Sequence, residues 1–170
     1  MLEAYLSSGG LSRKSGPCVY ALILIAKDHD PRIYIGRTGT SSKTGVDSPF
    51  GRLSTHLKKR GKTATCIFGG RNDPAFIESA RVVFLAVHIP GSHPEVGTAE
   101  KWMIWHCEQN KKVGRYELLN GEDIPKNEPP IRESIRAELL KLYKKAVHCC
   151  GVEPKCLPSG RSAPIKTGNI

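Results

Sequence analysis

Three kinds of reactive side chain lie along the first part of the chain in an order that suits phosphate chemistry. Tyr20 and Tyr34 carry phenols whose ordinary pKa near ~10 makes them poor bases unless a cation or a second titratable group assists. Arg52 offers a planar fork of donors that can hold a phosphate oxygen and stays charged throughout a reaction. His56 titrates near neutrality and can accept a proton, donate one or orient a hydroxyl. Together these groups suit the hydrolysis of a phosphate ester.

The hydrophobic pattern predicts the elements that carry these residues. Two apolar runs, 19–26 and 32–36, flank a polar turn and predict a β-hairpin that carries both tyrosines. A helix is predicted over 50–60, where Arg52 and His56 lie four residues apart on one face. Two polar side chains are thus presented together.

Further elements follow in the second half of the chain. The β-branched segment 81–89 predicts a buried third strand. Thr98 is a predicted N-cap of a helix that continues to about Asn110 and places Glu100 in its first turn, where a carboxylate commonly complements the helix dipole. The segment 131–146 predicts an amphipathic helix that packs on the sheet, with one apolar face formed by Ile131, Ile135, Leu139, Leu142 and Ala146.

The strand motifs Cys18-Val19-Tyr20 and Tyr34-Ile35-Gly36 resemble, in type and order, those of the GIY-YIG nuclease family over about residues 17–120. In that family a three-stranded antiparallel sheet carries two tyrosines, one helix carries an arginine and a second helix carries an acidic metal ligand. Arg52 and Glu100 follow the strand motifs in that order. The resemblance implies an α+β fold with a small three-stranded antiparallel sheet flanked by helices, and with an additional C-terminal amphipathic helix.

The resemblance also implies roles for individual residues. Glu100 would hold one Mg²⁺ or Mn²⁺ ion, with water and a phosphate oxygen at the remaining positions. Tyr20 is expected to relay a proton from the attacking water and Tyr34 to orient water or phosphate, and these two roles can be exchanged. Arg37 is the cation after the motif glycine, and Asn120, preferred over Asn110, is the asparagine after the metal-binding helix. The implied catalytic set is Tyr20, Tyr34, Arg37, Arg52, His56, Glu100 and Asn120.

The charge of the chain points to a polyanionic partner. The 26 Lys and Arg residues against 16 Asp and Glu give a formal charge of +10 and a pI near 9.5. Residues 1–60, which contain the strand motifs, hold 10 of the Lys and Arg residues against 4 acids. DNA is therefore the expected partner, and the predicted phosphate-contacting residues are Lys43, Lys58, Lys59 and Arg60.

A chain of 170 residues suits one domain. We expect an N-terminal extension over 1–16, a nuclease-like core over 17–121, a linker and C-terminal helix over 122–148, and a disordered tail over 149–170. No apolar run has the form of a signal peptide or approaches the ~20 residues needed to span a bilayer. A cytoplasmic protein, or a nuclear one in a eukaryote, with its six cysteines as thiols is therefore expected.

The sequence favours a metal-dependent DNA endonuclease, whose most specific form is a compact restriction-type enzyme. Duplex cleavage is then left to a homodimer or to successive nicks. Three alternatives stay open. They are a repair or structure-specific nuclease that needs a partner, a non-catalytic nucleic-acid-binding module, and a small enzyme of unrelated function in which the motif is fortuitous.

Overall fold

The computed structural model describes residues 17–38, 51–53, 56, 80–89, 93–121 and 124–151. Among them, residues 51–53 and 56 have helical backbone. The other elements, in chain order, are β1 (Cys18–Ile25), β2 (Arg32–Thr38), β3 (Arg81–His88), α1 (His93–Gly114), β4 (Glu117–Leu118) and α2 (Glu133–Cys149).

Strand β1 is the centre of the sheet. All of its residues are apolar and all but the last are buried, as expected for a strand covered on both faces. It pairs antiparallel with β2 on one side and with β3 on the other, so that Tyr20 lies opposite Gly36 and Ala86. The polar turn to β2 includes Asp28 in the left-handed region at φ 62°, which Asp tolerates better than most residues. The predicted hairpin is confirmed.

The fold class is α+β, as predicted, but the sheet has four strands in the order β3-β1-β2-β4 and is mixed. The prediction of a three-stranded antiparallel sheet is wrong in this respect, because β4 adds a parallel partner to β2. Backbone hydrogen bonds hold β4 there: the Glu117 N–H donates to Pro31 O at 2.9 Å and the Leu119 N–H donates to Ile33 O at 2.8 Å. Two residues are too few to show the alternation by which strands are recognised in a sequence.

The two faces of the sheet are covered by different elements. Helices α1 and α2 cover one face and share a core with the alternate strand residues Val19, Ala21, Ile23, Ile33, Ile35, Val83 and Leu85. On the opposite face Tyr20, Leu22 and Leu24 pack with Phe84 and with Leu53 of the helical segment. Because side chains alternate along a strand, Tyr20 and Tyr34 share the second face.

Helix α1 begins at His93, five residues before the predicted N-cap Thr98. The Thr98 hydroxyl instead donates to the Pro94 carbonyl at 3.1 Å, a contact typical of a threonine inside a helix. Pro94 suits the first turn, where its missing N–H leaves no helical bond unmade. The acidic residue of the first turn is Glu95, which pairs with Arg132 at 2.6 Å. Glu100 lies further along, so complementing the helix dipole does not account for its presence.

Helix α2 begins at Glu133, so Ile131 lies before the helix and not on its predicted apolar face. The other predicted residues of that face, Ile135, Leu139, Leu142 and Ala146, pack against the sheet and α1. Helix α2 extends to Cys149, so this residue belongs to the helix and not to the predicted tail, whose residues 152–170 lie outside the described part. The four described cysteines, Cys18, Cys107, Cys149 and Cys150, are free thiols, as predicted. Within the described ranges no helix has the length and apolarity to cross a bilayer.

His106 lies between the two helices and makes the stability of the fold sensitive to pH. Its ring stacks on Trp102 at 4.9 Å and meets Tyr143 edge-on at 4.7 Å. Its Nε2 is buried and has no hydrogen-bond partner in the described part of the chain. Burial lowers the pKa of His106 below its ordinary 6.5, Glu128 acts to raise it and Arg136 acts to lower it. The neutral imidazole is therefore the form that the fold accommodates.

Acidification is accordingly expected to destabilise the protein through His106. The folded-state pKa lies below that of the unfolded chain, so this contribution is present above about pH 6.5 and is lost as the pH falls through the folded-state value. The slope is at most about 1.4 kcal/mol per pH unit for one group. Urea denaturation at pH 7.5 and at pH 5.5 measures it. His106→Gln should show a shallower pH dependence than the wild type, and equal slopes would contradict this account.

Candidate active site

The first contact at the site is between facing residues of β1 and β2. The Tyr20 ring stacks on Phe84 of β3 at 5.1 Å and 29° and passes over Gly36 of β2. A Cβ atom at position 36 would overlap the Tyr20 hydroxyl and the ring carbon that bears it. The motif glycine is therefore required so that the phenol of the facing strand can lie flat on the sheet.

Gly36→Ala is expected to destabilise the fold by about 1–3 kcal/mol, the usual range for an overpacked core, and to shift the Tyr20 hydroxyl. Urea denaturation gives the free energy of unfolding. Adding Tyr20→Leu to Gly36→Ala should restore much of the stability, because leucine lacks the distal ring atoms. Wild-type stability of the single variant would contradict the close approach.

The Tyr20 hydroxyl is hydrogen-bonded to a histidine from a different element. It lies 2.7 Å from Nε2 of His56, and each of the two residues is 2% exposed. With the imidazole neutral and protonated at Nδ1, the hydroxyl donates to Nε2. The pair joins the central strand to the helical segment, one turn after Arg52.

The electrostatics of Tyr20 decide which proton transfers it can perform. Burial and, next, the neighbouring Tyr34 raise the pKa of Tyr20 above its ordinary 10.0. The Arg52 guanidinium lowers that pKa, and the Glu100 carboxylate raises it. The net result is a phenol that stays protonated at neutral pH. Tyr20 can therefore take up a proton only while it passes its own proton to His56.

Tyr34 is the more accessible of the two tyrosines. It is partly exposed, whereas Tyr20 is buried. Its ring centroid lies 5.0 Å from that of His56 and 6.3 Å from that of Tyr20. The three rings form one aromatic cluster on the second face of the sheet, with Tyr34 nearest to solvent. The register of β1 against β2 places both tyrosines on this face, and the sequence alone reveals neither this register nor the order of depth.

Arg52 has a buried hydrogen-bonding group for which the described residues offer no partner. Its Nε is buried, and no partner for it lies within the described part of the chain. A buried N–H without a partner is costly, and an anionic oxygen is the partner that a guanidinium prefers. The influence of this guanidinium on the Tyr20 pKa shows that its charge acts on the Tyr20–His56 pair.

Glu100 is paired with a cation at the end of β2. Its Oε2 lies 3.1 Å from Nε of Arg37, and the side chains are 21% and 36% exposed respectively. Arg37 reaches it across α1 at Gly97, where a Cβ atom would overlap the guanidinium nitrogen Nη1. Gly97 carries no signal in the sequence, because it precedes the predicted N-cap Thr98, where a glycine indicates only a loop.

Asn120 contacts the backbone of the strand that carries Tyr34. The Ile35 N–H donates to Asn120 Oδ1 at 2.9 Å, and Asn120 Nδ2 donates to Ile35 O at 2.8 Å. Ile35 lies between Tyr34 and Gly36, so the amide fixes the strand at the site. These contacts indicate a positioning role, and a direct role of Asn120 in chemistry stays a prediction.

The described residues do not form a closed cage of protein ligands for a divalent cation at Glu100. Among the described residues no group of three or more His, Cys, Asp or Glu is placed to hold a metal ion. A hard ion such as Mg²⁺ retains several waters and is commonly bound through one or two carboxylates together with substrate phosphate oxygens. The partly exposed Glu100 carboxylate fits that form of binding and does not fit a closed protein cage.

The structure thus brings together residues from four separate elements. Ring contacts join Tyr20, Tyr34 and His56, and electrostatic effects on the Tyr20 pKa extend the group to Arg52 and Glu100. The predicted phosphate-contacting residues Lys43, Lys58, Lys59 and Arg60 lie outside the described residues. Comparison of the chain with protein-family models, with curated proteins and with solved structures finds no match.

Proposed function

We propose that the protein is a metal-dependent DNA endonuclease and that its resemblance to the GIY-YIG family reflects membership. The observation that carries the proposal is the 2.7 Å hydrogen bond between Tyr20 and His56, on which the charges of Arg52 and Glu100 both act. A proton relay, a phosphate-binding cation and a carboxylate are the groups that phosphodiester hydrolysis requires.

Arg52 binds the scissile phosphate in this mechanism. Its Nε–H, which has no partner among the described residues, donates to a non-bridging oxygen. The guanidinium charge offsets the negative charge that grows as the phosphorus becomes five-coordinate. Because the guanidinium keeps its proton throughout, Arg52 stabilises charge and does not transfer protons.

Tyr20 and His56 act together as the base. The attacking water gives a proton to the Tyr20 oxygen while the Tyr20 hydroxyl proton passes to Nε2 of His56, so that the phenol is unchanged and the imidazole becomes a cation. The water oxygen forms the new bond to phosphorus, the bond to the leaving oxygen breaks, and that oxygen keeps the electron pair and takes a proton from solvent water. Tyr34, nearer to solvent, orients the water or the phosphate.

Glu100 is the residue that would hold Mg²⁺ or Mn²⁺, and the ion when bound supplies a Lewis acid for the phosphate. Arg37, which pairs with the same carboxylate, supplies a further positive charge at this edge of the site. The formal charge of +10 supports a nucleic acid as substrate, and DNA cut by a compact restriction-type enzyme is the most specific form of the proposal.

A non-catalytic nucleic-acid-binding module is the second candidate. The observation that favours it is the burial of Tyr20 and His56, each only 2% exposed, because a residual core pair would be enclosed in the same way. Such a module would retain the basic charge and bind DNA in a salt-sensitive manner without turnover.

Incubation of the full chain with supercoiled plasmid and Mg²⁺, beside an EDTA control, tests the proposal. Discrete metal-dependent fragments are expected from a restriction-type enzyme. Nicking alone, or cleavage confined to branched DNA, would indicate a repair-type nuclease that needs a particular structure or partner. Salt-sensitive binding with no cleavage of plasmid or of branched DNA would favour the binding module and overturn the nuclease proposal.

A further inference from the structure

The Arg37 side chain lies across the second turn of α1 and ends on the carboxylate proposed to bind metal. Its Nε is 3.1 Å from Glu100 Oε2. Its Nη1 occupies the space that a Cβ atom at Gly97 would fill. Gly97 precedes Glu100 by three residues, so the two positions lie on the same face of the helix. The Arg37 guanidinium therefore lies against the surface of the helix at Gly97, next to the Glu100 side chain.

Gly97 leaves the space that the Arg37 guanidinium fills, but a glycine at this position lowers the stability of the helix. Glycine is among the least favourable residues within a helix, because it loses the most conformational freedom on folding. Among the described residues, the atoms that a Cβ at position 97 would approach within 4 Å are Nη1 and Cζ of Arg37. The absence of a side chain at this position is thus matched to Arg37.

The Arg37 guanidinium binds the Glu100 carboxylate, which is the group that a divalent cation would need as its ligand. A hard cation binds through carboxylate oxygen lone pairs, and the Arg37 donor is directed at one oxygen of the only carboxylate assigned to the site. Both side chains are partly exposed, and ion pairs of that kind are weak enough to be exchanged. Arg37 and the metal ion therefore compete for Glu100.

We propose that Arg37, held against the helix in the space at Gly97, is an internal competitor that lowers the affinity of Glu100 for divalent cations. The competition ends when an anion binds the guanidinium and separates it from the carboxylate. The inference rests on the proposed function, in which a DNA phosphate is the anion that draws the guanidinium from the carboxylate. Any such exchange couples the two ligands reciprocally, so that DNA favours metal binding as much as metal favours DNA binding.

Isothermal titration of the DNA-free full chain with Mn²⁺ tests the competition. Arg37→Met keeps the length of the side chain without its charge, and it should bind Mn²⁺ about fivefold more tightly than the wild type, equivalent to about 1 kcal/mol at 1.4 kcal/mol per decade. Glu100→Gln should lose this binding. Wild-type or weaker affinity in Arg37→Met would overturn the proposal.

Two further variants separate the effect of the space at Gly97 from the general effect of a positive charge. Gly97→Ala keeps the charge of Arg37 but fills the space that its guanidinium occupies. This variant should bind Mn²⁺ roughly twofold to fivefold more tightly than the wild type, and it should keep at least wild-type thermal stability. Arg32→Met removes an equal charge from the other end of β2, where Arg32 pairs with Glu117 at 2.9 Å, and should leave the Mn²⁺ affinity unchanged. Unchanged Mn²⁺ affinity in Gly97→Ala would contradict the role of Gly97 in holding Arg37. A gain of Mn²⁺ affinity in Arg32→Met equal to that in Arg37→Met would show that the effect is one of general electrostatics.

The outcome for the competition between Arg37 and the metal ion can be distinguished from the outcome for the nuclease proposal. Cleavage by the wild type with no gain of Mn²⁺ affinity in Arg37→Met and Gly97→Ala would overturn the competition and leave the function standing. Tighter Mn²⁺ binding in both variants without cleavage of any DNA would support the competition and overturn the function.

Discussion

Replacing Glu100 with Gln is expected to lower the rate of DNA cleavage on the order of 10³-fold while DNA affinity changes by about twofold or less. A carboxylate that holds a catalytic metal supports several kcal/mol of transition-state stabilisation, and each ~1.4 kcal/mol is a tenfold change in rate. Glutamine keeps the size of the side chain but loses the charge that binds a cation. Single-turnover cleavage of plasmid, with DNA affinity measured by fluorescence anisotropy, gives both quantities.

Glu95→Gln is the matched control for this substitution. Glu95 lies on the same helix and pairs with Arg132 at 2.6 Å, so its replacement removes an equal charge and one ion pair. We expect cleavage by Glu95→Gln to stay within about threefold of the wild type, because exposed ion pairs contribute little. A loss of binding by Glu100→Gln as large as its loss of cleavage would contradict the metal-ligand role.

Tyr20→Phe is expected to lower the cleavage rate by about 10²–10⁴-fold, the usual contribution of a positioned acid or base. The phenyl ring keeps its stacking on Phe84, so folding should survive, at a cost of about 1–3 kcal/mol for the lost hydrogen bond between the Tyr20 hydroxyl and His56. Because the proposed mechanism makes the two residues one relay, the double variant Tyr20→Phe with His56→Leu should be little slower than either single variant. Multiplicative losses would show that the two residues act independently.

Tyr116→Phe controls for the loss of a buried hydroxyl. The Tyr116 hydroxyl donates to the Cys107 carbonyl at 2.7 Å within the core shared with α1. Its removal should therefore lower the free energy of unfolding by a similar amount and leave the cleavage rate close to that of the wild type. Comparable losses of activity in Tyr20→Phe and Tyr116→Phe would assign the Tyr20 effect to stability alone.

Much of the fold was predictable because its signals are local. The continuous apolar run of β1 and the β-branched run of β3 predict buried strands, and the polar turn containing Asp28 predicts the hairpin. The start of α1 was not predictable, because Thr98 has the side chain of an N-cap but uses it inside the helix. Strand β4 escaped prediction because long-range hydrogen bonds to β2, and not its own two residues, define it.

The candidate site was predictable in its membership more than in its geometry. Alternation along strands places Tyr34 and Gly36 on one face, and helical periodicity places Arg52 near His56. No sequence pattern encodes that Gly36 faces Tyr20, since this depends on the register of two strands. The Arg37–Glu100 ion pair joins residues on different elements in the same way, so only the folded chain brings them together.

Asn120 has a consequence for how this protein can associate. Strand β4 pairs with Arg32 and Ile33, and among the described residues no further strand pairs with the next part of β2 on that side. The Asn120 amide offers one acceptor and one donor to Ile35, as a neighbouring strand would, and so completes the ladder with a single side chain. Open edges invite pairing with other chains. The Asn120 side chain thus occupies the backbone N–H and C=O of Ile35 that edge-to-edge pairing would use, so it protects the strand that carries Tyr34 at this position.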